Sequence, residues 1–306
     1  MTKILDKVTS QQAFLLVSAL SLLYTVLTLF SPRGANLYHL TSLHIVLLQL
    51  TIIVPVLAIW FAATYGVLRF RQYARLIRKS PDGQALSRLT DGLLILVGSF
   101  IIQGLLGLLP KYAIGTSVLW PLVFLYNHLP VVLSFVAVYY LYTGSEALAK
   151  LAHAKLSARQ VITVIVPFLA VSQFAAAIFY MYVTPAVVNG IPNFAAPGKV
   201  SFFTLVLPYL AISFLGLLTI LNITNYISNI KGVIYKMALR YLAAGIMAVL
   251  IFDIFLQFFN LASRLLYRLA LGPLLLVIYL VIIFYGLGFI LIAIGARKLT
   301  QIEAVR

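Results

Sequence analysis

Residues 51–61 read TIIVPVLAIWF, and residues 204–214 read TLVLPYLAISF. The two stretches lie 153 positions apart, half of the 306-residue chain. They share Thr51/Thr204, Pro55/Pro208, Leu57/Leu210, Ala58/Ala211, Ile59/Ile212 and Phe61/Phe214. Leu and Ile matches are cheap in an apolar chain, but Thr, Pro and Phe matches at fixed spacing are not. The same shift pairs Pro32 with Pro185, Tyr73 with Tyr226, Gly92 with Gly245 and Tyr126 with Tyr279. Gln103/Gln257 match at 154 and Gly144/Gly295 at 151, the mark of small insertions and deletions. Self-similarity at a fixed period is the signature of a repeat architecture. The expected units are residues 1–153 and 154–306.

Both stretches sit in long apolar runs. The chain is 63% hydrophobic and 9% charged, with a mean hydropathy of +1.08. Soluble domains are about half apolar and about a quarter charged. A soluble globule of this composition could not clothe its surface in polar groups, so that class is excluded, with collagen-like, disordered and disulfide-rich chains. The chain has no cysteine, which removes thiolate metal sites and thiol nucleophiles. An all-α integral membrane protein is expected.

Apolar runs of about 20 residues span a bilayer as helices. Eight occur, at 12–30, 44–68, 91–109, 118–143, 160–184, 202–224, 238–261 and 271–296. The first is too long for a signal-peptide core and lacks a small-residue cleavage site, so it is read as a retained helix. Alternating sides along these eight runs places seventeen of the 22 basic residues on one side. The positive-inside bias makes that side cytoplasmic and both termini with it, in a plasma or inner membrane. Four spans per half give both halves the same orientation. Such parallel repeats are related by a pseudo-twofold axis along the membrane normal. Pro55 and Pro208 are expected to bend the second helix of each half, since proline removes an intrahelical bond. The Gly/Pro-bearing segment 185–201 reads as an external connector or cap.

Ionisable groups at bilayer depth are costly and normally face the protein interior. Asp253 and His128 are the two read there. Asp253, Gln257, Asn260 and Arg264 follow helical neighbour spacing and form a polar stripe. Arg264 is about 16 Å from Asp253 along a helix axis, too far to pair with it. Ser99, Gln103 and Lys111 form the corresponding stripe in the third run. Together with Asn127 and His128 these residues are candidates for a substrate or ion pathway. The alternative is interhelical hydrogen bonding, worth about 0.6–2 kcal/mol per contact. Arg69, Arg71, Arg75, Arg78 and Lys79 form a basic run at the end of the second helix, read as a contact for anionic phospholipids.

No mid-span Lys, HExxH, G-x-S-x-G or Walker motif occurs, so no catalytic residue, metal or cofactor is expected and an enzyme is disfavoured. Two function classes fit. One is a transporter or channel-like protein for a small solute, ion or lipid, with the seam between repeats as its route. The other is a non-catalytic sensor or scaffold. Because residues 295–300 follow the last run so closely, a sensor is expected to act through a membrane partner chain or a second copy. The formal net charge of +16 lies between apolar runs and points to lipid rather than nucleic acid.

Overall fold

The computed structural model describes residues 10–29, 42–109, 118–153, 157, 207–230, 233–266 and 271–305. Within those helices the side chains at 10, 42–49, 51–52, 119–120, 123–124, 126–127, 207, 209, 233–234, 252–266, 271–282 and 303–305 lie outside the description. All regular structure among the described residues is α-helical. Seven helices follow one another: α1 (Ser10–Leu29), α2 (Ser42–Leu76), α3 (Pro81–Leu106), α4 (Leu119–Leu151), α5 (Leu207–Asn229), α6 (Val233–Leu266) and α7 (Leu271–Val305). Among the described residues, α1, α2, α3, α4, α5 and α7 contain stretches long and apolar enough to cross a membrane. In hydrocarbon every backbone polar group must be satisfied within the segment, which a helix achieves alone. These are the helices of a polytopic membrane protein. The expected span at 160–184 lies outside the described residues.

The helices outrun their apolar cores. At 35 residues, α2 and α7 are about 52 Å long at 1.5 Å per residue, against a hydrocarbon layer of about 30 Å. Helix α3 begins at Pro81, well before the expected 91, and α4 continues to Leu151 beyond the expected 143. A hydropathy reading stops where charges begin, but burial does not. Tyr73, Leu86, Leu89, Leu148 and Leu299 are all buried in this overhang. Asp91, expected at the edge of a span, therefore lies well inside α3 and is half-buried.

Helices α3 and α4 pack closely as an antiparallel pair, and so do α6 and α7. Glycines set both approaches. A Cβ at Gly92 would lie 2.7 Å from the Ala137 carbonyl oxygen, and one at Gly144 would lie 2.9 Å from that of Ala85. In the other pair, a Cβ at Gly245 would lie 2.5 Å from the Gly288 oxygen, and one at Gly295 would lie 3.0 Å from that of Ala238. Small residues at such crossings let helix backbones touch. Further contacts join α2 to α7 and α4 to α5.

The buried faces keep the sequence shift. In α3 they include 85, 86, 89, 90, 92, 93, 96 and 97; in α6 they are 238, 239, 242, 243, 245, 246, 249 and 250, each 153 further on. Helices α2 and α5 bury the equivalent positions 59, 60, 63, 66, 70, 73, 74 and 212, 213, 216, 219, 223, 226, 227. In α4 and α7 the shift is 151, and it relates the buried positions 134, 137, 138, 141, 144, 145, 148 to 285, 288, 289, 292, 295, 296, 299.

Pro55 lies inside α2, as expected, and Pro130 lies inside α4. Pro208 lies in α5 beside its first described residue, and the residues before Leu207 lie outside the described set.

Candidate functional site

The ends of α2, α4, α5 and α7 meet the starts of α3 and α6 at one end of the bundle. The turn from α2 to α3 is tight and locally determined. Ser80 caps α3, accepting a bond from the Gly83 amide at 3.0 Å, while its own hydroxyl donates to the Ile77 carbonyl at 2.8 Å. Pro81 takes the first helical turn, where its fixed φ suits the helix. Asp82 follows in that first turn, where a carboxylate is favoured by the helix dipole. Gly83 is held against the Ile77 carbonyl, leaving no room for a side chain. The turn from α5 to α6 is tied by Lys236, whose Nζ donates to the Ser228 carbonyl at 3.1 Å.

Two contacts cross between the halves at these turns. Tyr226 of α5 donates its phenolic hydroxyl to Asp82 Oδ1 of α3 at 3.2 Å. Tyr73 of α2 shares a 3.3 Å hydroxyl contact with Tyr235 of α6. Tyr73 and Tyr226 differ by 153, and so do Asp82 and Tyr235. Tyr235 also neighbours Tyr226, so the four side chains form one cluster. Tyr73 is completely buried and Tyr226 is buried.

The cluster borders a cavity of about 1160 Å³. Among the described residues its wall carries Arg75, Arg78, Lys79 and Asp82. The three cations are exposed at its mouth. Beyond the tyrosines the described apolar side chains pack closely. Leu86, Leu89, Ile223, Ile227, Leu239, Leu242 and Ile246 enclose only about 10 Å³ of free space, too little to carry a water path. The site therefore offers cations, phenols and an apolar seal. Among the described residues no group of three His, Asp or Glu is placed to hold a metal.

The residues read from the sequence fall in several places. Ser99 is buried and donates to the Pro130 carbonyl at 3.1 Å, joining α3 to α4. Gln103 is half-buried on α3, and His128 is half-buried on α4. The backbone of Asn127 is helical in α4, and those of Asp253, Gln257, Asn260 and Arg264 are helical in α6; their side chains lie outside the described set, as does all of Lys111. The basic run divides. Arg75, Arg78 and Lys79 line the cavity, and Arg69 is exposed, bonding Gln72 at 3.3 Å and lying 5.2 Å from the Tyr65 ring. Arg71 is buried, only 7% exposed.

Sequence reading missed the cluster. Tyr73 and Tyr226 stood out only as a repeat match, and Asp82 and Tyr235 not at all. The available signal was an identical tyrosine in both halves beyond the apolar run, where span composition no longer dictates the residue. No family model matches the chain, and no curated protein and no solved structure is similar to it.

Proposed function

We propose that the chain is a transporter or channel-like protein made of two parallel four-helix repeats, 1–153 and 154–306, with the seam between them as the route. The shift of 153 in residue identities also relates the end of α2 to that of α5 and the buried faces of α2 and α3 to those of α5 and α6. The packing is reciprocal as well: α2 meets α7, and α5, the counterpart of α2, meets α4, the counterpart of α7. Reciprocity of this kind is what a twofold axis produces. Helices alternating in direction give that axis the membrane normal. By the positive-inside bias the basic end faces the cytoplasm, and the exposed Arg69, Arg75, Arg78 and Lys79 suit a surface of anionic lipid.

The observation that carries the reading is the cavity placed on the cross-repeat contacts and shut by an apolar seal. A route open to one side and closed by a hydrophobic constriction has this form. Ser99, Gln103 and His128, with Asp253, Gln257, Asn260 and Arg264 of α6, are proposed to line its further part.

The cysteine-free chain allows a direct test. Single variants Asn229→Cys in the cavity and Ile223→Cys in the seal are reconstituted in liposomes and exposed to a membrane-impermeant thiol reagent. Asn229→Cys should react from the basic side, and Ile223→Cys should react more slowly as the seal opens. A reactive cavity with a seal that never reacts from either side would make this a dead-end site, the sensor or scaffold alternative.

A further inference from the structure

We infer that the bodies that move in this protein are not its two repeats but two three-helix units that exchange a helix, α3–α4–α5 and α6–α7–α2. The inference deepens the seam reading and rests on it for what the motion serves. The axis is the same, and only the helices on either side of it are reassigned. Packing carries the argument. Among the described residues α2 packs more extensively on α7 than on α3, its neighbour in the chain, and α5 packs more extensively on α4 than on α6. Helix α1 packs on α2 and travels with it. The relation between the repeats turns one unit into the other, since α3, α4 and α5 correspond to α6, α7 and α2. The units are therefore equivalent, as two bodies rocking about one axis must be.

Contacts inside the units are close and directional. A Cβ at Gly66 of α2 would lie 2.5 Å from the Phe289 carbonyl oxygen of α7, so these two backbones touch as small residues allow. Tyr226 joins α5 to α3 through Asp82 at 3.2 Å, Tyr73 joins α2 to α6 through Tyr235 at 3.3 Å, and Asn222 joins α5 to α4 through Ser145 at 3.4 Å. These three contacts cross between the repeats, yet each falls inside one unit. The units meet differently. Leu86, Leu89, Ile223 and Ile227 of one share an apolar space with Leu239, Leu242 and Ile246 of the other. Further along, Phe100 of α3 meets Tyr285 of α7 with ring centroids 5.1 Å apart, and Tyr226 adjoins Tyr235 at the basic end. Apolar contact is non-directional, so such faces part or slide where hinge and shear motions occur, whereas close-packed helices move as one body. Among the described helices the chain passes from one unit to the other at two places, the turn capped by Ser80 and the connection from α5 to α6. Both lie at the basic end. They are the pivots, and the units separate most at the opposite end.

The test uses the full chain in phosphatidylcholine nanodiscs, with spin labels placed on introduced cysteines and distances read by electron paramagnetic resonance. Four sites away from the turns are equivalent in pairs: Ala58 of α2 with Ala211 of α5 by the shift of 153, and Val132 of α4 with Ile283 of α7 by that of 151. Each is exposed or partly so, so the changes Ala58→Cys, Ala211→Cys, Val132→Cys and Ile283→Cys should leave folding intact. Labels at Ala58 and Ile283, or at Ala211 and Val132, sit within one unit. Labels at Ala58 and Val132, or at Ala211 and Ile283, sit within one repeat. The four pairs are read first in the otherwise unchanged chain, which alone decides between the two groupings. They are read again with Ile223→Ala, which thins the apolar contact between the units. Pairs within a unit should keep a single narrow distance in both backgrounds, while pairs within a repeat should split or shift by several ångström, alike in the two halves. The reverse pattern overturns the exchange and leaves the seam reading standing, because the repeats themselves would then move. Four fixed distances in both backgrounds also overturn the inference. Moving units with an Ile223→Cys thiol that never reacts from either side overturn the transport reading alone.

Discussion

The two halves put a tyrosine at the same point and give it different partners. Tyr226 bonds a carboxylate, Asp82; Tyr73 meets another phenol, Tyr235. Around them the framework is nearly the same, down to the glycines where α3 crosses α4 and α6 crosses α7. At these described positions the packing is alike and the hydrogen-bond partners of the two tyrosines differ. Packing is set by backbone approach, which tolerates few changes. A side chain at the rim of a cavity is free to change without moving a helix. Among the described residues Arg75, Arg78 and Lys79 line this rim from the first half, and Tyr226, Asn229, Ile230 and Tyr235 line it from the second.

The strongest way to break the comparison is at the glycines. Gly92→Val and Gly245→Val should both be severely destabilising, by more than about 3 kcal/mol, because overpacking here strikes backbone. Gly98, with nothing within 4 Å of a Cβ, supplies the contrast: Gly98→Ala should be neutral or stabilising, since Gly costs a helix about 0.5–1 kcal/mol relative to Ala. Unfolding in mixed detergent micelles measures all three. If Gly92→Val were tolerated and Gly245→Val were not, the two crossings would not be equivalent.

Trp60 and Ser213 occupy equivalent buried positions with very different volumes. The Trp60 ring is fully buried, 5.1 Å from the ring of Tyr24 in α1 and close beneath Gly104. Trp60→Ala should cost about 3–5 kcal/mol, whereas Ser213→Ala should cost under about 1 kcal/mol. Comparable losses in the two variants would show that the α1 side is not specially packed.

The tyrosine pairs sharpen the comparison at the site itself. A hydrogen bond to a charged group contributes about 1.5–3 kcal/mol, and a neutral one about 0.5–1.5 kcal/mol. A double-mutant cycle of Tyr226→Phe with Asp82→Asn should therefore give the larger coupling, and one of Tyr73→Phe with Tyr235→Phe the smaller. The reverse order would mean that the phenol pair, not the carboxylate, locks the seam.

How much of this was legible in the sequence depends on what each feature rests upon. The membrane class and the helix starts and stops within hydrocarbon follow from composition, so residues 51–61 and 204–214 were enough to expose the shift. The overhang was not legible, because Arg75, Arg78 and Asp82 end an apolar run without ending the packing of Tyr73, Leu86 and Leu148. The cavity was less legible still. It is assembled from the ends of α2, α4 and α5 and the starts of α3 and α6, and no local pattern brings Asp82 to Tyr226. Conversely, the polar stripe through Ser99 was legible as a pattern, but one of its members serves packing, bonding the Pro130 carbonyl.

The smallest expected effect comes from a polar pair that only one half possesses. Asn222 of α5 is buried and donates through Nδ2 to Ser145 Oγ of α4 at 3.4 Å. Ser145 in turn donates to the Tyr142 carbonyl at 2.8 Å. In the other half the equivalent positions are Arg69 and Ala296, and Arg69 is exposed and bonds Gln72 within its own helix. Ser145→Ala therefore gives α4 the residue that α7 already carries, at a position buried in both. The alanine leaves helix packing unchanged and removes one weak interhelical bond. Such bonds average about 0.6 kcal/mol in membrane bundles, so the loss should be of that order. A double-mutant cycle with Asn222→Ala isolates the bond from the packing of each side chain. A coupling near zero would mean that apolar contact, and not this bond, holds α4 to α5. A coupling well above about 2 kcal/mol would mean that this crossing depends on a polar lock for which the other half has no counterpart.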